Sequence, residues 1–203
     1  MPTESYHIGN QNAPFFLTFT VTDWIDVFTR ITYKSIIVES LKYCIQNKGL
    51  KLYAWCLMTN HIHLICRVEE PLKMSDFIRD FKQFTAKRIL EEIEIAFESR
   101  KDWMLYRFEY AGKYDNRITK YRFWQDKSHP IELTSNEFIQ QKINYIHQNP
   151  VRAGFVVNAK DRNDMKTISA TALQTQNHFP LVTNEGEQKR IRLLSLFGVV
   201  CKR

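Results

Sequence analysis

His61 and His63 flank a single isoleucine. Residues two apart on a β-strand point to one face. On a strand the two imidazoles therefore stand side by side, while Ile62, Leu64 and Cys66 face the other way into a core. Two neutral imidazoles so placed suit a divalent cation, whereas two protonated ones repel. Taken alone, the tripeptide is short and common, and two unrelated histidines on a half-exposed strand is the plainer reading. A second group lies further along the chain. Lys142, Tyr145 and Asn149 recur at i, i+3 and i+7, a stripe beside the apolar residues Ile139, Ile143 and Ile146. A tyrosine there has a reachable hydroxyl. Asn149 could offer a carbonyl oxygen to a metal, and Lys142 could steady a phosphate. By themselves these residues also read as a boundary tyrosine and an asparagine ending a helix. His147 is two residues from Tyr145 and reads as a structural or supporting residue. No nucleophile elbow supports a Ser-His-Asp or Cys-His scheme. The six glycines are isolated, so there is no phosphate-cradling glycine loop.

Composition narrows the class without choosing it. The chain has 203 residues, 29 Lys+Arg and 22 Asp+Glu, giving +7 and a pI near 9.2. That length fits one domain, or one domain plus a tail. Fourteen Phe, nine Tyr and four Trp are too much apolar surface for a disordered chain. The longest apolar runs, such as Leu193–Val200, fall short of the roughly 18 residues of a membrane span. Cys44, Cys56, Cys66 and Cys201 form no Cys-x-x-Cys pair. With no charged-then-apolar leader pattern, the expectation is a reduced, cytoplasmic protein. The positive balance permits a polyanionic partner.

The elements that must carry the chemistry follow from periodicity. Phe15–Val21 alternates at period two and predicts a strand. Ile37, Leu41, Cys44 and Ile45 predict a helix from about Thr32 to Lys48, closed by Gly49. Leu50–Leu57 and His61–Val68 read as a hairpin. A second helix is predicted from an N-cap at Ser75 toward Phe97, with Phe77, Ile78, Phe81, Phe84 and Ile89 inward. Residues 101–127 are a mixed basic and aromatic stretch. A third helix is predicted from an N-cap at Asn136 to Asn149, stopped by Pro150. This order is that of an α+β, ferredoxin-like (split βαβ) antiparallel sheet. Helices lie on one face and a tyrosine-bearing helix follows, with a fourth strand expected within Tyr121–Leu133. Residues 1–157 are expected to form the domain, and 158–203 a tail of uncertain structure whose end, Lys189–Arg203, is basic.

Together these segments carry a resemblance. Met58-Thr59-Asn60-His61-Ile62-His63-Leu64-Ile65 resembles the His-hydrophobic-His strand of the HUH single-tyrosine transposases. Tyr145-Ile146-His147-Gln148-Asn149-Pro150-Val151-Arg152-Ala153-Gly154 is similar to their tyrosine helix, in the form seen in the REP-associated (RAYT) branch. Phe123-Trp124-Gln125 and His129-Pro130-Ile131-Glu132-Leu133 also resemble that branch. The resemblance spans about Phe15 to Val157. Lys166-Thr167-Ile168-Ser169-Ala170 departs from the pattern, and the tail beyond has no match.

The resemblance implies an endonuclease and transposase that cuts and rejoins hairpin-bearing single-stranded DNA, with DNA transposition and recombination as its outcome. Tyr145 would be the nucleophile forming a 5′-phosphotyrosine. His61, His63 and Asn149 would hold Mg²⁺ or Mn²⁺. Imidazole ligands by themselves lean toward Mn²⁺. Relatives of this kind include monomers and dimers, so a homodimer stays open. For DNA contacts, Arg79, Lys82, Lys87 and Arg88 could line one side of a groove. Arg117, Lys120, Arg122 and Trp124 combine charge with an aromatic platform for bases. Lys142 and Arg152 lie nearest the tyrosine in sequence. Two other classes compete. A non-catalytic ferredoxin-like module would bind single-stranded nucleic acid without needing Tyr145. A hydrolytic metalloenzyme would use the histidines with a carboxylate, but no His-Glu-x-x-His helix is present.

Overall fold

Phe15–Thr20 forms β1, Leu50–Leu57 β2 and His61–Val68 β3, and Ile131–Glu132 forms β4. The computed structural model describes residues 8–113, 115, 117–126, 128, 130–154 and 198–200. β3 lies between β1 and β2, antiparallel to both, and β4 adds antiparallel to the free edge of β1. The order β4-β1-β3-β2 is that of the ferredoxin-like sheet expected from the sequence. The fourth strand falls within the expected window but is two residues long, supplemented by a single bridge between Val21 and Trp124. A fifth strand, β5 (Gly198–Val200), pairs parallel with β2. It is the described part of the segment expected to be a tail, and the remainder, including most of the basic stretch Lys189–Arg203, lies outside the described residues.

The two faces of the sheet bury different partners. Leu17, Phe19, Ile62, Leu64 and Cys66 face a core shared with the helices α1 (Ile31–Asn47) and α2 (Met74–Ile95). Phe16, Cys56 and Ile65 face the other way, against Ile139, Ile143 and Ile146 of α4 (Asn136–Arg152). A bulge in β2 between Leu52 and Ala54 sends both Tyr53 and Ala54 toward α4. Leu50 and Leu52 before it, and Trp55 and Leu57 after it, then all face α1 and α2. Full burial of each α4 isoleucine contributes about 1.5–3 kcal/mol.

Several local expectations differ from what forms. The α2 N-cap is Lys73, and Ser75 sits in the first turn, its backbone N–H donating to Gln11 Oε1 at 3.0 Å. Phe84 is exposed, because the inward stripe runs Phe77, Phe81, Thr85, Ile89 and Ile93. Ser135, not Asn136, caps α4, accepting from the Phe138 N–H at 3.2 Å. Pro150 does not stop the helix but lies in its last turn, where α4 closes at Arg152. So near the C-terminus the proline disturbs little of the hydrogen-bond ladder. The stretch after residue 100 contains an unanticipated helix, α3 (Lys101–Gly112). Its buried Met104, Phe108 and Gly112 recur every fourth residue, but the outward Trp103, Tyr106 and Tyr110 blur the amphipathic contrast.

The α2–α3 connection also braces the loop after β1. Glu98 is buried and ion-paired to Arg30 at 2.8 Å and to Arg100 at 3.2 Å. Arg100 in turn donates to the Asp26 carbonyl at 2.9 Å. Burial pushes the Glu98 carboxyl up, but the Arg100 hydrogen bonds and the two guanidinium charges outweigh it and hold it below its ordinary value. A Glu98→Gln variant is therefore expected to lose about 1.5–3 kcal/mol at pH 7, the worth of hydrogen bonds to a charged group. The loss shrinks as the pH falls below the ordinary carboxylate range, where the native glutamate protonates as well. Urea unfolding at pH 7 and pH 4 measures both, and equal stability of the two proteins at pH 7 would refute it.

Candidate active site

Tyr145 meets the histidine pair because β3 and α4 pack through one sheet face. His63 lies on that face, flanked by inward-facing Ile62 and Leu64, and the antiparallel register sets Thr18 of β1 opposite it. Thr18 Oγ1 is 2.8 Å from His63 Nδ1. The His63 ring stacks on Phe16 at 5.3 Å, and the ring of His61 stands 4.7 Å away. Tyr145 presents its ring edge-on to His63 at 5.3 Å and to Phe16 at 5.9 Å, and stays 38% exposed.

The hydrogen bonds around His61 decide its tautomer. The Asn60 side-chain amide donates to Asp26 Oδ1 at 3.0 Å and to the Trp24 carbonyl at 3.2 Å. Its nitrogen is thereby committed, so the Asn60 oxygen, 2.7 Å from His61 Nδ1, must accept. His61 then carries its proton on Nδ1 and keeps a lone pair on Nε2. Asp26 is also held by the Thr59 hydroxyl at 2.5 Å. At His63, Nδ1 has Thr18 and the buried Nε2 has no partner. Burial pushes His63 down to about 3, with His61 and Lys142 adding to the effect, and burial lowers His61 as well. Both imidazoles are thus neutral at pH 7, the state that binds cations.

That unpartnered buried nitrogen is the local test of whether a metal fits, and the donor set passes it. With its proton on Nδ1 and donated to the Thr18 hydroxyl, His63 offers a lone pair at Nε2 beside the one at His61, a pair that suits a divalent ion. Among the described residues no group of three or more His, Cys, Asp or Glu side chains could hold a metal. A third protein ligand therefore has to be of another type, and Asn149, half-buried one turn after Tyr145 on α4, is an amide.

The basic residues divide sharply. Lys142 belongs to the tyrosine face, its ammonium 4.8 Å above Phe16, 5.3 Å above Phe138 and 5.9 Å from the Tyr145 ring. Arg152, exposed in the last turn of α4, shares that helix. Arg79, Lys87 and Arg88 do not flank the site. They ride on α2, across the sheet from Tyr145, and pair with Asp76 and Asp80 or with Glu91. Lys82 donates to the Gln125 carbonyl at 2.7 Å and to Ser128 at 3.1 Å, and burial pulls it down to about 8. Arg117 and Arg122 are tied to Asp115 and Asp126, and Lys120 lies 4.5 Å over the Tyr121 ring. Trp124 is no base platform. It is 5% exposed, and its indole N–H donates to Thr85 at 3.1 Å inside the α1–α2 core. Sequence reading took its neighbouring charges for a surface, whereas the Phe123-Trp124 pair packs beneath them. The sequence reading also missed Thr18, Asp26 and Asn60. Only the strand register could have signalled Thr18.

A ferredoxin-like sheet with an imidazole pair on one face, and a tyrosine helix packed over that pair, defines the class. The sequence profile described as "Transposase IS200 like" matches residues 17–149, from β1 to the asparagine one turn past Tyr145, and the chain belongs to that family. Two solved structures are similar at lower levels. A REP-associated tyrosine transposase bound to a REP hairpin is 16% identical, with 79% of each chain covered and a TM-score of 0.49. A Deinococcus radiodurans R1 protein described as a transposase is 17% identical, with 73% of this chain and 96% of that one covered and a TM-score of 0.43. No curated protein matches. Among the described residues no helix is long and apolar enough to cross a membrane.

The depressed His63 sets a pH dependence. An unfolded histidine takes up its proton near 6.5, while folded His63 does not. Stability is therefore retained above that value and falls below it, by up to about 1.4 kcal/mol per pH unit from this group. Proton NMR is expected to show the His63 ring still neutral at pH 5. A titration midpoint near 6.5 would sink the assignment.

Proposed function

We propose that this chain cleaves and rejoins single strands of hairpin-bearing DNA through a 5′-phosphotyrosine, with Tyr145 as nucleophile and His61, His63 and Asn149 holding Mg²⁺ or Mn²⁺. The observation that carries the reading is the half-exposed Tyr145 ring against His63, whose inward nitrogen lacks a partner. Membership of a transposase family supports it. The hairpin substrate is drawn from the REP-associated form of the motif Tyr145–Gly154.

A phosphodiester resists attack because its charged oxygens repel the nucleophile. A bound divalent ion would supply Lewis-acid polarisation of the phosphate at the histidine pair. The remaining work falls to the chain. α4 holds the Tyr145 ring edge-on against His63 and Phe16, from where its hydroxyl would attack the phosphate. The phenol loses its proton, its oxygen bonds to phosphorus, and the bond to the 3′ oxygen breaks. That oxygen takes a proton and leaves as a free 3′-hydroxyl. The phosphodiester energy is kept in the tyrosine ester, so a new 3′-hydroxyl can reverse the step and join strands. Lys142, held above three aromatic rings beside the tyrosine, is suited to steady a non-bridging phosphate oxygen. Arg152 is suited to a phosphate further along the strand.

Incubation with hairpin-bearing single-stranded DNA and Mn²⁺ is expected to give a species of reduced mobility that survives denaturing electrophoresis. Tyr145→Phe should abolish it, and its persistence there would refute the nucleophile. Free 5′-phosphate ends with no adduct would instead indicate hydrolysis. Thr18→Val and Asn60→Ala remove the partners that orient the two imidazoles. Each is expected to weaken Mn²⁺ binding about 10- to 100-fold by calorimetry, the usual effect of losing such a partner. Unchanged Mn²⁺ affinity in both would count against the histidine site.

A further inference from the structure

Trp24 lies in the loop after β1, 59% exposed, in a short 3-10 turn spanning Thr22–Trp24. Its backbone and that of Asp23 both adopt the left-handed region, with φ of 56° and 53°. Side-chain-bearing residues rarely enter that region, and two in succession persist only where the surroundings force them.

Here the surroundings do. The Asp23 carboxylate receives two N–H groups from Arg107 of α3, at 3.0 and 2.5 Å. The Thr22 N–H donates to the Phe123 carbonyl at 2.8 Å, and the Trp24 N–H to the Val21 carbonyl at 3.0 Å. The Trp24 carbonyl accepts from Asn60, the same amide whose oxygen fixes His61. The result is a large apolar ring held out toward water, its ring plane inclined 74° to that of His61 and the centroids 5.9 Å apart. Burial alone would favour drawing such a ring inward. The fold instead spends strain, an ion pair and a shared amide on keeping it beside the histidine site.

We infer that Trp24 is a stacking platform for an unpaired nucleobase of the DNA strand next to the phosphodiester cleaved at the histidine site. This rests on the single-stranded DNA reading and adds a residue that sets how the strand lies across the site. A flat π-face accepts any base and needs no hydrogen-bond code. Asn60 links the platform to His61, so the distance from stacked base to imidazole pair is fixed by one side chain. The opposing account is that Trp24 merely props His61, and the two differ in what happens when the base is removed.

The experiment uses the full chain carrying Tyr145→Phe, which prevents covalent capture. The probes are a fluorescein-labelled hairpin oligonucleotide with mixed-sequence single-stranded flanks and a set of copies, each abasic at one flank position. Anisotropy in Mn²⁺ is expected to show Trp24→Ala weakening binding about 5- to 150-fold, the usual worth of one stacked base. Trp24→Phe should retain most of the affinity. At one flank position the abasic oligonucleotide should cost the parent a similar factor and cost the Trp24→Ala protein almost nothing more. Trp103→Ala, removing another exposed tryptophan, on α3, serves as the control and should bind as the parent does. If Trp24→Ala binds as tightly as the parent, or if its loss multiplies with the abasic loss at every position, the platform is overturned. A parent that binds none of the probes overturns the underlying DNA reading, and the platform with it.

Discussion

A buried imidazole nitrogen with no hydrogen-bond partner costs about 1–3 kcal/mol, and His63 carries one. That unpaid cost organises the rest of the site. It is tolerable only because Thr18 holds the other ring nitrogen and Phe16 stacks on the ring face, leaving the ring no freedom to turn toward water. Both come from β1, so the pairing of β1 with β3 is a condition of the site as well as of the sheet. The same burial keeps the ring neutral, and neutrality keeps its lone pair available.

The sheet separates two tasks by face. One side is an apolar layer beneath α1 and α2, and it supplies most of the burial. The other carries the histidines, the smaller cluster around Ile65, and α4. Because α4 brings Lys142, Tyr145 and Asn149 on one stripe, the pose of a single helix sets the reach of all three. The Ser135 cap and three isoleucines hold that pose. The loop after β1 closes the far end, where Asp26 and Asn60 orient His61, and Arg100 ties Asp26 back to the buried Glu98.

Much of this was legible in the sequence where one physical period dominates. Alternation marked β1, the short link Met58-Thr59-Asn60 marked the β2–β3 hairpin, the two-residue spacing put His61 and His63 on one face, and the i, i+3, i+7 spacing put Tyr145 beside the α4 core stripe. What stayed hidden depends on non-local pairing. Thr18 matters through its register with His63, forty-five positions away. Asp26 and Asn60 act through side-chain geometry in loops. α3 escaped because aromatic residues point both inward and outward along it. Trp124 misled because composition cannot tell a ring under a charged loop from one on it, and the basic residues of α2 misled because charge alone does not say on which side of a sheet a helix lies.

The bulge at Tyr53 has a consequence for how this chain can change length. β2 runs in one phase before the bulge and in the opposite phase after it, so its two halves are joined by a phase slip of one residue. Deleting a single residue there would not shorten a loop. Removing Tyr53 would cancel the slip and leave Leu52, Trp55 and Leu57 facing α1 and α2, with Ala54 and Cys56 facing α4, in unbroken alternation. A single deletion is therefore accommodated at the bulge, whereas in the regularly paired parts of β2 the loss or gain of one residue would invert part of the strand against its neighbour.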